Sequence, residues 1–200
     1  MTGKKFYSKE GKLKKTISYE YENTKLIKES ENYSDNQTLN SYAIYTYTIF
    51  DSIAERQVYY GGQEVSRIVY DYDSINLRKK ESTFDHDTLI NYTEYFYDDE
   101  NKLWKTIVRN FDGGINQIKM YDYYDNLTMR ITVYDSMTNF AGFELYRYNT
   151  ENLLLEVDYH DKDNALEKYD TYDYKDDQLL KKSSYDNSNN RIAYTIYKYH

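Results

Sequence analysis

The sequence predicts an all-β protein built from tandem β-hairpin repeats of about 25 residues, arranged as a long antiparallel meander in a curved or spiralling sheet. Three observations predict this fold: a recurring Tyr-x-Tyr doublet, a second aromatic residue midway between doublets, and a polar turn after both. Because the repeat occupies the whole chain, we expect a single repeat domain over residues 1–200, with seven full repeats and a partial N-terminal unit.

The Tyr-x-Tyr doublet marks every second predicted strand. Its second tyrosine recurs at intervals of 25 or 26 residues. Residues i and i+2 share one face of a strand, so the doublets of successive repeats predict a tyrosine ladder on one face of the sheet. Tyr, Thr, Ile and Val also favour strands over helices. The doublets are Tyr19/Tyr21, Tyr45/Tyr47, Tyr70/Tyr72, Tyr95/Tyr97, Tyr121/Tyr123, Tyr146/Tyr148, Tyr172/Tyr174 and Tyr197/Tyr199.

The midpoint aromatic marks the intervening strand. With strands of about eight residues, each repeat is a strand, a turn, a second strand and a second turn, which gives about sixteen strands. The face opposite the doublets is apolar at only one end of the strand, which favours a sheet with one wet face. The midpoint aromatics are Tyr7, Tyr33, Tyr59, Phe84, Phe111, Tyr134, Tyr159 and Tyr185.

The turns are rich in Asp and Asn, which tolerate left-handed backbone and bond their own main chain. Examples are the segments 73–76, 98–101 and 186–189, while Gly61-Gly62 and Gly113-Gly114 are predicted hairpin turns. The segment from Tyr7 to Leu13 resembles the one from Tyr97 to Leu103. The repeat is therefore interpreted as a possible duplication of a strand and turn of about 12 or 13 residues.

The composition argues against several classes of partner and function. The net charge is -8 with no basic excess, which argues against a nucleic-acid partner. No apolar run is long enough to span a membrane, and the absence of Cys leaves the redox compartment open. We expect a cell-surface or secreted location if a signal peptide has been removed, and a cytoplasmic one otherwise.

Segments such as Tyr70-Asp71-Tyr72-Asp73-Ser74-Ile75-Asn76-Leu77 resemble the YD repeats of bacterial RHS-type proteins, whose pattern is roughly Tyr-x-Tyr-Asp-x-x-Gly-x-Leu. The resemblance covers nearly the whole chain. It implies β-hairpins in a spiralling sheet, a structural and non-catalytic role, and a surface or secreted setting. At the position of the turn Gly this chain has Asn76, Asn101, Asn152 or Gln178.

The residue types and spacings give little support for a catalytic site or a metal site. The three histidines, His86, His160 and His200, have no zinc or EF-hand spacing, and His86 and His160 fall in predicted turns. No Gly-x-Ser-x-Gly elbow and no Gly-rich phosphate loop occurs. We therefore expect no enzyme activity and no cofactor.

The expected function is a structural or binding module that presents a Tyr-rich β surface to a protein or glycan partner. The candidate binding residues are Trp104, Tyr95, Tyr97, Tyr121 and Tyr123, since Trp and Tyr rings stack on sugars and anchor interfaces. Packing is the alternative role for both Trp104 and the doublets. The alternative function is a toxin-associated partner or immunity-type protein of a bacterial YD-repeat system.

Overall fold

The fold is taken from a computed structural model, which describes residues 2–7 and 12–197. These residues form sixteen strands and one short 3-10 helix, Gln37–Leu39. The order of the strands in the sheet is their order in the chain, and neighbouring strands pair antiparallel. The predicted all-β antiparallel meander is confirmed. Tyr199, His200 and most of the Tyr7–Leu13 turn lie outside the described residues.

The first eight strands are β1 (Thr2–Tyr7), β2 (Leu13–Glu22), β3 (Lys25–Tyr33), β4 (Ser41–Tyr47), β5 (Ile53–Tyr60), β6 (Gln63–Tyr72), β7 (Arg78–Asp85) and β8 (Thr88–Tyr97). The last eight are β9 (Leu103–Asn110), β10 (Ile115–Tyr123), β11 (Thr128–Tyr134), β12 (Phe140–Tyr148), β13 (Leu154–Asp161), β14 (Leu166–Lys175), β15 (Gln178–Asp186) and β16 (Arg191–Ile196). The chain divides into two compact units. Unit 1 comprises Met1–Glu94 with Asn110–Asp112, and unit 2 comprises Tyr95–Arg109 with Gly113–His200. The same hairpin builds both units, and the single repeat domain stays a prediction.

One kind of turn recurs along the chain, in which a side-chain oxygen of Asp, Asn or Thr accepts hydrogen bonds from two backbone N–H groups. In the turn after β6, Asp73 Oδ1 accepts hydrogen bonds from the backbone N–H groups of Ile75, at 3.0 Å, and Leu77, at 2.9 Å. Asn76 then adopts a left-handed φ of 65°, which Asn tolerates better than most residues. The turn after β15 is built in the same way on Asp186. Turns after both kinds of strand are therefore alike, which supports the duplicated strand-turn unit. The other residues that accept both bonds are Thr48, Asp98, Asp135, Asn149 and Asp161.

Two-residue turns join four other hairpins, β2/β3, β5/β6, β7/β8 and β14/β15. Gly61 and Gly62 have φ values of 58° and 83°, so both are left-handed, as a type I′ turn requires. Gln178, which the resemblance aligns with the turn Gly of the YD pattern, does not take a left-handed φ. Asp176 and Asp177 take the positive φ angles instead, at 50° and 62°, and Gln178 already belongs to β15. The two short acidic residues close this hairpin because they accept left-handed backbone more readily than Gln.

The doublets define one side of the sheet, called here the doublet face. Tyr146 of β12 stands directly opposite Val157 of β13, and Tyr121 of β10 opposite Ile131 of β11. A strand without a doublet thus separates each doublet from the next. Successive doublets are two strand spacings apart, about 9.5 Å, which is beyond ring-stacking distance. The predicted tyrosine ladder is consequently interrupted by the odd-numbered strands.

The opposite side, called here the rung face, carries stacked aromatic pairs at the end of the strands away from the doublets. Tyr42 and Tyr59 stack with ring centroids 4.7 Å apart, and Tyr169 and Tyr185 with centroids 4.9 Å apart. Each pair joins an even strand to the following odd strand in direct register. The midpoint aromatic therefore serves as one half of a cross-strand rung in these repeats.

The buried core is small and lies at the middle of the strands. Neighbouring residues of a strand point to opposite faces. Thr106 with Ile107, and Ile131 with Thr132, are adjacent buried pairs, so both faces are covered at the centre of unit 2. The expectation of one fully wet face does not hold there, because long side chains from neighbouring strands cover both sides. The buried residues among those described are Ala43, Ser82, Thr106, Ile107, Ile131, Thr132, Gly142, Val157, Asp170 and Ser183.

Candidate binding surface

The first tyrosine of a doublet is held within the doublet face. The Tyr146 hydroxyl donates to Glu144 Oε2 at 2.6 Å, and burial together with this carboxylate raises the pKa of Tyr146 well above its ordinary value. The Tyr45 hydroxyl lies 3.3 Å from both Glu29 Oε2 and Arg56 Nε. These hydroxyls bond side chains of the same strand or of neighbouring strands, which makes the first tyrosine part of the framework.

The second tyrosine ties one repeat to the previous one. The hydroxyls of Tyr47, Tyr72 and Tyr123 donate to the backbone carbonyl oxygens of Leu26, Ile53 and Leu103 at 2.8, 2.7 and 3.1 Å. Each acceptor lies at or near the start of the odd strand that follows the preceding doublet. An aromatic ring with a polar tip suits this task, since it packs against the sheet and also satisfies a carbonyl. The doublet is in these repeats a structural device.

Asp170 of β14 is the most deeply buried carboxylate among the described residues, at 4% exposure, and the sequence reasoning did not single it out. Its Oδ2 lies 2.8 Å from Lys182 Nζ and 3.2 Å from the Tyr159 hydroxyl. Burial opposes its ionisation, but hydrogen bonds from Lys182 and Ser184 and the lysine charge outweigh burial and lower the pKa of Asp170. Burial and the same carboxylate raise the pKa of Tyr159 to about 12. Lys182 and Tyr159 both bond to Asp170, so the role of this cluster is structural.

The five predicted binding residues do not form one cluster. Phe96 stands between Tyr95 and Tyr97 and therefore points to the rung face. The Trp104 ring lies 6.4 Å from the Phe96 ring, and Lys105 Nζ lies 4.4 and 4.6 Å from the two ring centroids. Trp104, 37% exposed, thus packs beside Phe96 and apart from the Tyr95 and Tyr97 doublet.

Tyr121 and Tyr123 lie together on β10 and differ in exposure. Tyr121 is half-buried, with its hydroxyl 3.4 Å from Thr106 Oγ1, while Tyr123 is 46% exposed. Tyr123 also lines a shallow, open depression of about 180 Å³ between the turn after β10 and the turn after β12. The depression is lined by Tyr123, Asp125, Asn126, Thr128, Met129, Tyr148 and Asn152.

The depression joins aromatic and hydrogen-bonding groups in one small surface. Tyr123 and Tyr148 supply the aromatic walls, and partial burial raises the pKa of both, which keeps their hydroxyls neutral. Asp125, Asn126 and Asn152 add a carboxylate and two amides. Rings that cover apolar C–H surface beside carboxylate and amide groups form the chemistry that recognises sugar hydroxyls or a polar peptide.

His160 and His86 each contact a neighbouring side chain. His160 belongs to β13 rather than to a turn, and its ring stacks on Phe143 with centroids 4.2 Å apart. His86 occupies a left-handed turn position, with Nδ1 2.8 Å from Asp85 Oδ1. Within residues 2–7 and 12–197, no group of three or more His, Cys, Asp or Glu side chains is arranged to hold a metal ion. The same residues include no helix of the length and hydropathy needed to cross a membrane.

The fold defines a class: proteins built from tandem antiparallel β-hairpins in one open sheet. No protein-family model matches the sequence, and no curated protein matches it. Among solved structures, a porin-like protein from Bacteroides uniformis matches with a TM-score of 0.52 and 12% identity, over 90% of this chain and 79% of the other. At this identity the match shows the fold alone.

Two toxin structures also match this chain. The Tc holotoxin pore of Photorhabdus luminescens matches with a TM-score of 0.48 and 15% identity, over 92% of this chain and 11% of the other. The TcdB2-TccC3-Cdc42 complex matches with a TM-score of 0.25 and 10% identity, over 97% of this chain and 16% of the other. Tc toxin chains are therefore among the structural neighbours, at scores too low to support a functional argument.

Proposed function

We propose that this chain is a non-enzymatic binding module that contacts a glycan or protein partner through the depression at Tyr123. The observation that carries the proposal is the lining of that depression, where two tyrosines stand beside one carboxylate and two amides. The depression is small and open, which suits a sugar ring or a single side chain of a larger partner.

The non-enzymatic role is supported by how the titratable groups are used. Asp170 is bonded to Lys182 and Tyr159, and Arg147 Nη1 pairs with both Glu156 and Asp158. These groups neutralise one another within the sheet. General acid-base catalysis needs such a group within reach of a bound substrate, so these pairs are better suited to stability than to turnover.

Glycan and peptide arrays, followed by calorimetric titration of the best ligand, test this proposal. Asn126→Ala removes an amide of the depression and should weaken binding by about tenfold, the loss of about one hydrogen bond to the ligand. Asn187→Ala, in the corresponding turn after β15, is the matched control and should bind as the unsubstituted protein does. Unchanged affinity in Asn126→Ala would place the binding surface elsewhere.

Trp104→Phe tests the competing location on the rung face. The substitution keeps an aromatic ring beside Phe96 and Lys105 but removes the indole. If ligand affinity falls with Trp104→Phe and not with Asn126→Ala, the rung face carries the partner. If neither array detects a ligand at millimolar concentration, the binding proposal fails.

The second proposal is membership of a bacterial YD-repeat system, as a toxin-associated partner or immunity-type protein. It rests on the resemblance of the Tyr70–Leu77 segment to the YD pattern and on the left-handed Asn76 at the place of the pattern's Gly. Co-expression with a toxin encoded beside this chain should restore growth of the host cell. A toxin of equal potency with and without this chain would rule out the immunity role.

A further inference from the structure

In unit 1, a lysine side chain lies between the turn after β2 and the turn after β4. Lys25 Nζ is 5.3 Å from the centroid of the Tyr47 ring and pairs with Asp51 Oδ1. Tyr47 is the second tyrosine of its doublet, and Asp51 has the left-handed φ of its turn, at 64°. A lysine ammonium is thus held between a doublet ring and a turn side chain.

Two walls of the depression in unit 2 correspond to the residues around Lys25. Tyr148 and Tyr47 are both second doublet tyrosines, and each stands beside a register shift to the next strand. Asn152 has a left-handed φ of 60° and takes the place of Asp51 in the turn. A doublet ring and a left-handed turn residue therefore line the depression as they surround Lys25.

The residue that corresponds to Lys25 is too short to fill the depression. Lys25 immediately precedes the residue that pairs with the second doublet tyrosine of β2. Thr128 immediately precedes the residue that pairs with the second doublet tyrosine of β10. Thr has neither the long stem nor the ammonium of Lys, so the space beside Tyr148 stays open.

Asp125 supplies the depression with a carboxylate that other turns use to close themselves. In the turn after β6, Asp73 Oδ1 accepts two backbone N–H groups. Tyr124 takes that position in the turn after β10, since its N–H donates to the carbonyl four residues later, as the Asp73 N–H does. Asp125, one residue further on, accepts the Leu127 N–H through Oδ1 at 2.7 Å. Its Oδ2 is left for a ligand.

The turns that follow the doublet strands of unit 2 are rich in carboxylates. Lys102 of the turn after β8 pairs with Glu100, with Nζ 2.8 Å from Oε2, so its charge is balanced within the turn. A surface with excess negative charge raises the local concentration of cations. The acidic residues of these turns are Asp98, Asp99, Glu100, Asp125, Glu151, Asp176 and Asp177.

We propose that the depression binds the lysine side chain of a protein partner. The Tyr148 ring and the Asp125 carboxylate hold its ammonium, in the manner of Lys25 in unit 1. The apolar stem of the lysine lies along Met129 and the Tyr123 ring. The inference rests on the proposed function of the depression and assigns the chemical class of its ligand.

Two peptides test the charge of the ligand: acetyl-Gly-Lys-Gly-amide, and the same peptide with the lysine Nζ acetylated. Binding is followed by NMR through the side-chain amides of Asn126 and Asn152, which line the depression. The free lysine peptide should bind about tenfold more tightly, because acetylation removes the charge. Added salt should weaken its binding, since the site is open to solvent.

Equal affinity for the two peptides would overturn the lysine inference and leave the depression as a binding surface. Tighter binding of glucosamine than of the lysine peptide would overturn it in favour of an amino sugar. If neither peptide moves the amide signals but a ligand from the arrays does, the inference fails and the proposed function stands. If no ligand moves them, both fail.

Asp125→Asn tests the carboxylate. Asn keeps an oxygen that accepts the Leu127 N–H but removes the charge, so the lysine peptide should bind about fivefold more weakly. Asp163→Asn, in the exposed turn after β13, changes the net charge equally and is the matched control. Equal affinities in these two variants would contradict a role for Asp125.

Thr128→Lys tests the correspondence with Lys25. The new side chain should occupy the depression from within the chain and abolish binding of the lysine peptide. Leu77→Lys adds the same charge at the corresponding position of unit 1, the residue before the partner of Tyr72, and should leave binding unchanged. Backbone amide spectra verify that both variants are folded. Full affinity in Thr128→Lys would overturn the proposal.

Discussion

The two units use the same doublet face in different ways. In unit 1, the residues opposite the first doublet tyrosines are charged: Glu29, Arg56 and Glu81. In unit 2, two of these positions hold Ile131 and Val157, both buried, at 6% and 1% exposure, and a third, opposite Tyr172, holds Lys182.

Unit 1 offsets its polarity with ion pairs across the strands. Lys15 Nζ lies 3.0 Å from Glu31 Oε1, and Lys28 Nζ lies 3.3 Å from Glu20 Oε1. Partly exposed pairs of this kind stabilise a fold by less than about 1 kcal/mol each. The doublets therefore order the strands in both units, while the residue that faces them decides whether a dry core forms. We expect unit 2 to be the more stable unit.

The largest effect should come from Val157→Asp. The substitution places an unpaired carboxylate at the most deeply buried apolar position described in unit 2 and should lower the free energy of unfolding by about 4 kcal/mol or more. Urea unfolding followed by the fluorescence of Trp104, the single Trp, measures unit 2 specifically. Leu155→Asp lies on the same strand at 41% exposure and should cost less than about 1 kcal/mol. Similar losses in the two variants would contradict a dry core at Val157 in unit 2.

The second-largest loss of stability should come from Asp170→Asn. Asp170→Asn removes the charge that pairs with Lys182 and should cost about 2–3 kcal/mol, less than a fully buried pair because Lys182 remains partly exposed. Asp173→Asn, an exposed neighbour on the same strand, is the control. The native pKa of Asp170 is lowered, so its contribution is present above about pH 4 and is lost as pH falls. The acid-dependent loss of stability should be smaller in Asp170→Asn; an identical acid profile would argue against this role.

Alkaline pH should also weaken unit 2. The pKa of Tyr159 is raised to about 12, against about 10 in an unfolded chain. Its contribution is complete below about pH 10 and is lost as pH rises toward 12, because only the unfolded state ionises readily in that range. Tyr159→Phe should flatten the dependence of unfolding free energy on pH between 10 and 12. Tyr124→Phe, in an exposed turn, controls for the loss of one tyrosine. A slope equal to that of the unsubstituted protein would contradict the assignment.

The smallest effect tests the tether between repeats. Tyr72→Phe removes the hydroxyl that donates to the Ile53 carbonyl and should cost about 1 kcal/mol. Hydrogen exchange of the amides in β5 and β6 should accelerate accordingly. Tyr21→Phe, at a doublet tyrosine with 53% exposure, is the matched control. Faster exchange in both variants alike would show that the hydroxyl bond contributes little.

The fold could be predicted from the sequence because its residue pattern is repeated. The period-2 doublets and the Asp and Asn turns predict strands and hairpins, and the left-handed Asn76 shows why Gly could be scarce. At Gln178 the alignment with the YD pattern does not give the left-handed position, because Asp176 and Asp177 before it take the positive φ angles. The sequence alone does not distinguish a two-residue turn from a longer one when both contain Asp.

The candidate site was harder to predict from the sequence, since it depends on cross-strand register. A register shift stands between Asp71 and Tyr72, and similar shifts recur at other hairpins. One such shift changes which residue faces which, so the partners of Asp170 were hidden. A usable signal was its carboxylate two residues before a doublet, where Ala43 and Ile68 stand in other repeats. The depression escaped notice because its lining comes from two turns in different repeats.

The strand order has a consequence for folding kinetics. Every strand neighbours the one before it in the chain, so each pairing closes a loop of only a few residues. Most all-β proteins fold slowly because their contacts join distant segments, whereas short loops lower the entropic barrier to each step. The chain also has no Pro, so no prolyl isomerisation delays it. Folding can begin at any hairpin and spread to its neighbours, at a speed closer to that of a helical bundle than of a β-sandwich.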